Sequence, residues 1–185
     1  WTAAEIQGRR DAWKMFELWR EHLEAFEDAY FMTSGPTAGG RESRRIVGDY
    51  VLSGDDVRQG RPQDDAVLLG AWRLDRHPPD KPGYHDIPWT PPYGIPYRTL
   101  LPQGLDNLLV AGRCHSATSE ALASSRVTAT AMGMGQAAGT AAALVLDQGD
   151  VRAVDVAQLR HQLRQNGVIL EVPPAKEVEV GNPNW

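Results

Sequence analysis

The chain has 185 residues, of which 42% are hydrophobic and 23% are charged, and its formal net charge at neutral pH is −5. This length and composition suit one globular domain with its own core and exclude a disordered tail. The acidic balance lacks the basic surface that a phosphate backbone requires, so we expect no nucleic-acid partner. The single cysteine, Cys114, excludes an internal disulfide. No cysteine cluster or histidine pair has ligand spacing, so we expect no metal.

Two features concern the setting of the chain. Its use of cysteine fits a reducing compartment, and we expect a cytoplasmic protein. The first residue is Trp1 rather than methionine, and no signal peptide follows it. We therefore expect the chain to be a piece of a longer protein.

The first third of the chain predicts a helix and then an arginine-rich block. Apolar side chains at steps of three or four predict a helix over residues 2–30, which Thr2 and Glu5 would begin as a capping box. Its aromatic face is typical of a packing surface. Glycines and prolines predict a loop over 33–40, and the arginine-rich block at 40–52 ends in an alternation typical of a strand. A short helix and a strand are predicted over 64–74.

Proline dominates the next segment, because residues 78–102 hold eight of the thirteen prolines. Proline removes backbone donors, which excludes a helix or a central strand here. The segment also carries too many aromatic and aliphatic side chains to stay in water. It is therefore predicted to be ordered and extended, and to lie over a surface or line a cleft.

The last third predicts a strand, a loop and two helices. Residues 108–111 predict a short buried strand that ends at Gly112, and residues 114–126 predict a loop of small residues. Residues 127–146 carry no charge, but their alanine, glycine and threonine content favours a helix buried in a large protein over a membrane span. Asp155 begins the last helix, which places Val156, Leu159 and Leu163 on one face and ends at 166–167.

Two chemical features stand out in this last third. Gly133, Gly135 and Ala138 match the G-x-G-x-x-A variant of the dinucleotide fingerprint, which predicts a nicotinamide site only where a strand directly precedes it. His115 follows the strand-ending glycine in a loop, which makes it the first candidate for catalysis.

A strand that ends at a glycine lets a ligand approach the backbone, and a helix N-terminus offers free amides to an electron-rich group. Reduced flavin is such a group, because negative charge builds up around N1 and O2 of its ring. The strand, the glycine and the uncharged helix therefore suit a flavin.

Three ordered blocks within residues 40–165 carry a specific pattern. They are Gly40-Arg41-Glu42-Ser43-Arg44-Arg45-Ile46 with Gly48, Tyr50 and Leu52; Ile95-Pro96-Tyr97-Arg98 with Leu100-Leu101-Pro102; and Leu108-Leu109-Val110-Ala111-Gly112-Arg113-Cys114 with Ser116-Ala117-Thr118, Glu120-Ala121-Leu122, Arg126-Val127 and Gly135–Ala142. This pattern resembles the carboxy-terminal part of the bacterial FAD-dependent oxidoreductases that have a glutathione-reductase-type FAD domain. It is also similar to the fumarate reductase flavoproteins, which place an arginine before the same helix.

The resemblance implies an α/β fold (α+β in isolation) that is the carboxy-terminal portion of a Rossmann-like flavoprotein. It divides the chain into a substrate-side part at 1–102, part of the FAD domain at 103–167 and an extended tail at 168–185. FAD would be bound by Ala111, Gly112, Arg113, Cys114, Arg126, Val127 and Thr128.

The resemblance also implies the residues of catalysis. Arg41, Glu42 and Arg44 would reach the substrate pocket, and His115 or Ser119 would handle the proton. Ser119 stands where the family often has histidine, and Thr99 stands where it often has cysteine.

The first hypothesis is part of an enzyme that moves a hydride from a small organic substrate to FAD, while another chain or segment carries the amino-terminal FAD-binding half. The alternatives are a non-catalytic subunit or interaction module of a flavoprotein complex, and a nicotinamide-binding domain that uses Gly133, Gly135 and Ala138.

Overall fold

The structure is a computed structural model that describes residues 1–76, 87–147 and 149–172. The chain forms two compact units, Trp1–Arg41 and Glu42–Trp185. The first unit contains helix α1 (Thr2–His22) and a short 3₁₀ helix (Glu24–Phe26).

Helix α1 begins where it was predicted to begin and ends eight residues early. It stops because Leu23 adopts an extended backbone, with φ −121° and ψ 110°. The predicted capping box does not form: the N-cap is Trp1, and the Glu5 carboxylate instead accepts a bond from the amide of Ala38. No residue of α1 is buried, and Trp13 is half exposed. The aromatic face therefore remains largely accessible.

The second unit has a two-stranded antiparallel sheet and four helices among its described residues. The strands are β1 (Ala66–Gly70) and β2 (Tyr93–Pro96), which place Leu68 opposite Ile95. The helices are α2 (Gly54–Gln59), α3 (Ser119–Ser125), α4 (Thr128–Leu144) and α5 (Val156–Gln165), and one-turn 3₁₀ helices occupy Tyr97–Leu100 and Val151–Ala153. Mixed helices with a small sheet are consistent with the predicted α/β class.

One core joins these elements, and α4 packs against β1 within it. The approach is close because residue 133 is glycine: a Cβ atom there would lie 2.7 Å from Cδ1 of Leu68. Burial of apolar surface is the main stabilising term of such a core. Its largest buried side chains include Val57, Val67, Tyr93, Ile95, Leu100, Leu122, Met134, Leu159 and Leu163.

The predictions for α4 and α5 are confirmed in position. Asp155 caps α5 by accepting bonds from the amides of Ala157 (2.8 Å) and Gln158 (3.2 Å). Gly167, at φ +81°, follows the end of α5. Helix α4 is buried on one side and exposed on the other, and its burial within a larger protein stays a prediction. None of the helices that the structure describes is long and apolar enough to cross a membrane.

Two predicted strands are absent from the described residues. The alternation at 46–52 makes only isolated bridges, from Gly48 to Pro102 and from Leu52 to Ala117. Proline has no N–H, so a ladder cannot continue at that point. Residues 108–111 belong to no strand, and their backbone bond to the other described residues runs from the amide of Val110 to the carbonyl of Leu100 at 2.9 Å.

Three other predictions need correction. The short helix expected within 64–74 lies earlier, at α2, where Ser53 and Asp56 form a capping box. The loop expected over 114–126 contains α3, because the Thr118 hydroxyl caps the amide of Ala121. The proline-rich segment includes β2 and a 3₁₀ turn, so its expected lack of helix is wrong at 97–100; residues 78–86 of that segment lie outside the described ranges, as do residues 173–185 of the tail.

The nicotinamide hypothesis is also overturned. It required a strand directly before Gly133, but Gly133 is the sixth residue of α4. Its phosphate-binding turn would have to form inside a continuous helix, where the amides are already bonded. Gly133 therefore serves the contact with Leu68 instead.

Two glycines test the packing around α2. Gly60 has φ +58°, and a Cβ atom there would lie 2.7 Å from Cγ of Pro91 and 2.9 Å from the carbonyl oxygen of Pro92. Gly104 has φ +71°, and no atom lies within 4 Å of the position a Cβ atom would take there.

Gly104→Ala should lower the free energy of unfolding by about 1 kcal/mol through backbone strain alone. Gly60→Ala should cost about 1–3 kcal/mol more, because it adds a clash with backbone and a rigid ring. Urea titration of both variants measures the difference, and equal losses would contradict the described contact.

Candidate functional site

The loop after residue 111 joins the three sequence blocks. The amide of Ile46 donates to the carbonyl of Cys114 (2.9 Å), and the amide of Ser116 donates to the carbonyl of Thr99 (2.9 Å). Leu52 and the loop exchange two further bonds, from the Leu52 amide to the carbonyl of Ser116 (3.1 Å) and from the amide of Thr118 to the carbonyl of Leu52 (2.8 Å). Three of these four backbone bonds join residues that are more than sixty positions apart in sequence.

The loop begins with a turn at Gly112, whose φ is +86°. Residues other than glycine rarely adopt this conformation. A Cβ atom at Gly112 would meet only Cβ of Ala131, at 4.0 Å, so the face of this turn is open. The turn therefore combines a glycine backbone conformation with room for a group to approach.

His115 closes the turn from inside the protein. Its side chain is fully buried, and its Nδ1 lies 2.8 Å from the carbonyl oxygen of Gly112. Its Nε2 lies 3.2 Å from the hydroxyl of Ser125. Burial lowers the pKa of His115, the bond to Gly112 opposes this, and the charge of Arg45 lowers it further. The imidazole is therefore neutral at neutral pH.

The junction of α3 and α4 is built around Arg126. This residue caps the C-terminus of α3, and its side chain is only 10% exposed. Its guanidinium donates to the carbonyl of Asp75 at 2.7 Å and lies 3.7 Å from the Asp75 carboxylate. Helix α4 then begins at Thr128 without a side-chain cap, and Thr128 and Ala129 are exposed. The first amides of α4 are therefore available to a ligand.

A charged cluster lies at the N-terminus of α3. The Ser119 hydroxyl donates to the Glu42 carboxylate at 2.9 Å, and Arg45 forms an ion pair with the same carboxylate. Burial by itself would raise the pKa of Glu42, but the bonds from Arg45 and Ser119 and the charges of Arg45 and Arg126 together lower it. Glu42 therefore stays ionised and ties the arginine-rich block to α3.

The predicted site residues do not all meet. Arg41 is the last residue of the first unit, and Arg44 is exposed with no hydrogen bond or ion pair to any described residue. Arg113 and Cys114 are exposed beside Gly112, and the Cys114 thiol points at the carbonyl of Ala111, 3.5 Å away. Ala111 and Val127 are half-buried.

Sequence inspection missed three residues that organise the site: Arg45, Asp75 and Ser125. Arg45 stands only three positions after Glu42 and carries the opposite charge, so this partner had a signal in the sequence. Asp75 and Ser125 had none, because their partners Arg126 and His115 are chosen by packing.

Comparison with known proteins decides the family. A family model described as FAD dependent oxidoreductase matches residues 1–163. The chain belongs to this family. It is therefore an FAD-dependent oxidoreductase, and its cofactor is FAD. No curated protein and no solved structure matches the chain.

Two observed features of this candidate site are compatible with the FAD of the family. The start of α4 presents exposed, uncapped amides, which favour the electron-rich edge of a flavin ring. The Gly112 turn leaves room for a cofactor to approach the backbone. Across residues 1–76, 87–147 and 149–172, no group of three or more histidine, cysteine, aspartate or glutamate side chains could hold a metal ion.

The pKa of Glu42 predicts how stability depends on pH. Because this pKa is lower in the folded protein, the carboxylate stabilises the fold above its unfolded pKa, and this contribution disappears as the pH falls through the folded pKa. Glu42→Gln should therefore be less stable than the parent at pH 7, and the difference in melting temperature should shrink between about pH 5 and pH 3. Asp55→Asn, which removes an exposed ion pair with Arg58, is the control and should change stability little. A difference for Glu42→Gln that does not vary with pH would contradict the described cluster.

Proposed function

We propose that this chain supplies the flavin-facing helix and the substrate-side elements of an enzyme that removes a hydride from a C–H bond of a small organic substrate. One observation carries the proposal: backbone bonds bring the arginine-rich block, the 95–102 segment and the Gly112 turn to one place, beside the open start of α4. A turn with open space admits a cofactor, and uncapped helix amides favour the electron-rich edge of a flavin ring.

The proposed FAD contacts come from two stretches. Ala111, Gly112, Arg113 and Cys114 would line the cofactor along the turn, and the amides after Val127 would face the ring. Exposure of Arg113, Cys114 and Thr128 supports these assignments. Arg126 would add positive charge behind the same helix start. When bound, FAD supplies the acceptor for the hydride.

The substrate side would consist of an arginine and a proton acceptor. Arg44 is an exposed cation and would orient a polar or anionic group of the substrate. Ser119 is exposed and already donates to the ionised Glu42, so it can pass a proton towards that carboxylate. His115 is the alternative for this role, but its burial and its two internal bonds favour Ser119.

A second chain or segment would carry the ADP-binding half of a Rossmann-like fold. Two surfaces support this part of the proposal. The outward side of α4 exposes Gly135 and Gly139, and neither has an atom within 4 Å of a Cβ position. Residues 108–111 belong to no helix or strand, and their backbone bond to the other described residues runs from the amide of Val110 to the carbonyl of Leu100. Small residues allow close packing with a partner, and backbone groups that are not used in a ladder allow strand pairing.

The proposal predicts weak FAD binding by the chain alone. The isolated polypeptide should retain little FAD after desalting, because the ADP moiety would lack its binding half, whereas the native assembly should show flavin absorption. Absorbance spectra of both samples, with mass analysis of every chain present, make the comparison. A tight stoichiometric yellow complex from the pure chain would contradict the need for another half. A native assembly without flavin would favour a non-catalytic subunit.

Arg126 tests the position of the pocket. In the assembled protein, Arg126→Ala should slow flavin reduction by substrate by roughly tenfold or more, because a charge at the start of α4 is lost. Arg164 lies on α5, and Arg164→Ala, which removes its exposed ion pair with Glu171, is the control. Stopped-flow absorbance measures the rate, and melting temperatures show whether both variants fold. Unchanged reduction in a folded Arg126→Ala protein would mean that the pocket lies elsewhere.

A further inference from the structure

The buried pair of His115 and Ser125 connects the two parts of the proposed FAD site. Both side chains have no exposed surface. His115 contacts the carbonyl of Gly112 through Nδ1, and Ser125 occupies the last position of α3, directly before Arg126. The pair therefore links the Gly112 turn to the helix end from which Arg126 and α4 follow.

The bonds of this pair determine the tautomer of the imidazole. The carbonyl of Gly112 can only accept, so Nδ1 carries the proton and donates to it at 2.8 Å. In the neutral ring Nε2 is then an acceptor, and the Ser125 hydroxyl donates to it at 3.2 Å. Both ring nitrogens are thus used inside the protein, and neither is left to exchange a proton with a substrate.

The surroundings of His115 disfavour its charged form. The ring lies in a fully buried position, and the charged group that acts on it is the guanidinium of Arg45, which repels a second positive charge. No carboxylate contributes to its electrostatics among the described residues. A protonated His115 would therefore lack a compensating charge, and the neutral ring is the form that the fold stabilises.

We propose that His115 is a positioning residue, which in its neutral Nδ1–H form, together with Ser125, sets the Gly112 turn relative to the N-terminus of α4. This inference rests on the proposed FAD site. It assigns to Ser125 a role that its position at the end of α3 would not otherwise suggest. It also removes His115 from the group that contacts the substrate.

The test measures FAD affinity in the complete, FAD-loaded protein. Ser125→Ala removes only the Nε2 partner, and His115→Asn keeps a donor near the Nδ1 position while it loses the bond to Ser125. Each should raise the Kd for FAD by roughly tenfold, the usual effect of one lost buried hydrogen bond. His115→Leu loses both bonds and should raise the Kd more, so that His115→Asn partly rescues it.

Ser124→Ala is the matched control. Ser124 is also fully buried at the end of α3, but it accepts from the Tyr93 hydroxyl (2.7 Å) and donates to the carbonyl of Trp72. It should lower the melting temperature about as much as Ser125→Ala does and leave the Kd for FAD within about twofold.

The pH dependence of flavin reduction separates positioning from proton transfer. In His115→Asn, the rate of flavin reduction should rise and fall with pH at the same inflections as in the wild-type protein. Loss of one of these inflections in His115→Asn, or equal Kd values for Ser125→Ala and Ser124→Ala, would overturn the inference while the proposed function stands. Absence of FAD from the unmodified native protein would overturn the proposed function, and the inference with it.

Discussion

The backbone hydrogen bonds of residues 112–118 are the constraint on which the site depends. They bind this loop to Ile46 and Leu52 on one side and to Thr99 on the other. Each bond contributes only about 1 kcal/mol, but a buried amide or carbonyl left without a partner would cost more. The loop therefore has few alternative positions relative to Ile46, Leu52 and Thr99. Its position determines where the Gly112 turn, α3 and the start of α4 lie.

The pairing of charged side chains in the second unit depends on this arrangement. Once α3 is placed, Ser119 faces Glu42, and Arg126 meets Asp75 at the other end of the same helix. Partly buried charges need such partners, since an unpaired charge away from water is costly. The buried imidazole of His115 meets the same requirement in its neutral form, through two hydrogen bonds.

Local signals predicted α4, α5 and the strand β1 within 64–74, but they missed α2 and α3 and extended α1 eight residues too far. The Asp155 cap and the uncharged run of α4 depend on neighbours within one turn, so they could be recognised in the sequence. The alternation at 46–52 was equally regular, yet a strand also needs a partner with free amides, and Gly48 meets Pro102. Capping also explains the missed helix α3, because the signal at Thr118 was present but lay among small residues typical of loops.

The sequence alone determined the family, its cofactor and the extent of α4 and α5, because ordered motif blocks and helix signals are properties of short stretches. It also singled out Gly112, whose conformation only glycine adopts readily. The tertiary structure decided what the polar residues do. His115 is buried rather than open, and Arg45 rather than Arg44 meets Glu42. The hydrogen bonds of His115 with Ser125 and of Ser119 with Glu42 join residues 10 and 77 positions apart. No local pattern encodes which of these distant residues will be neighbours.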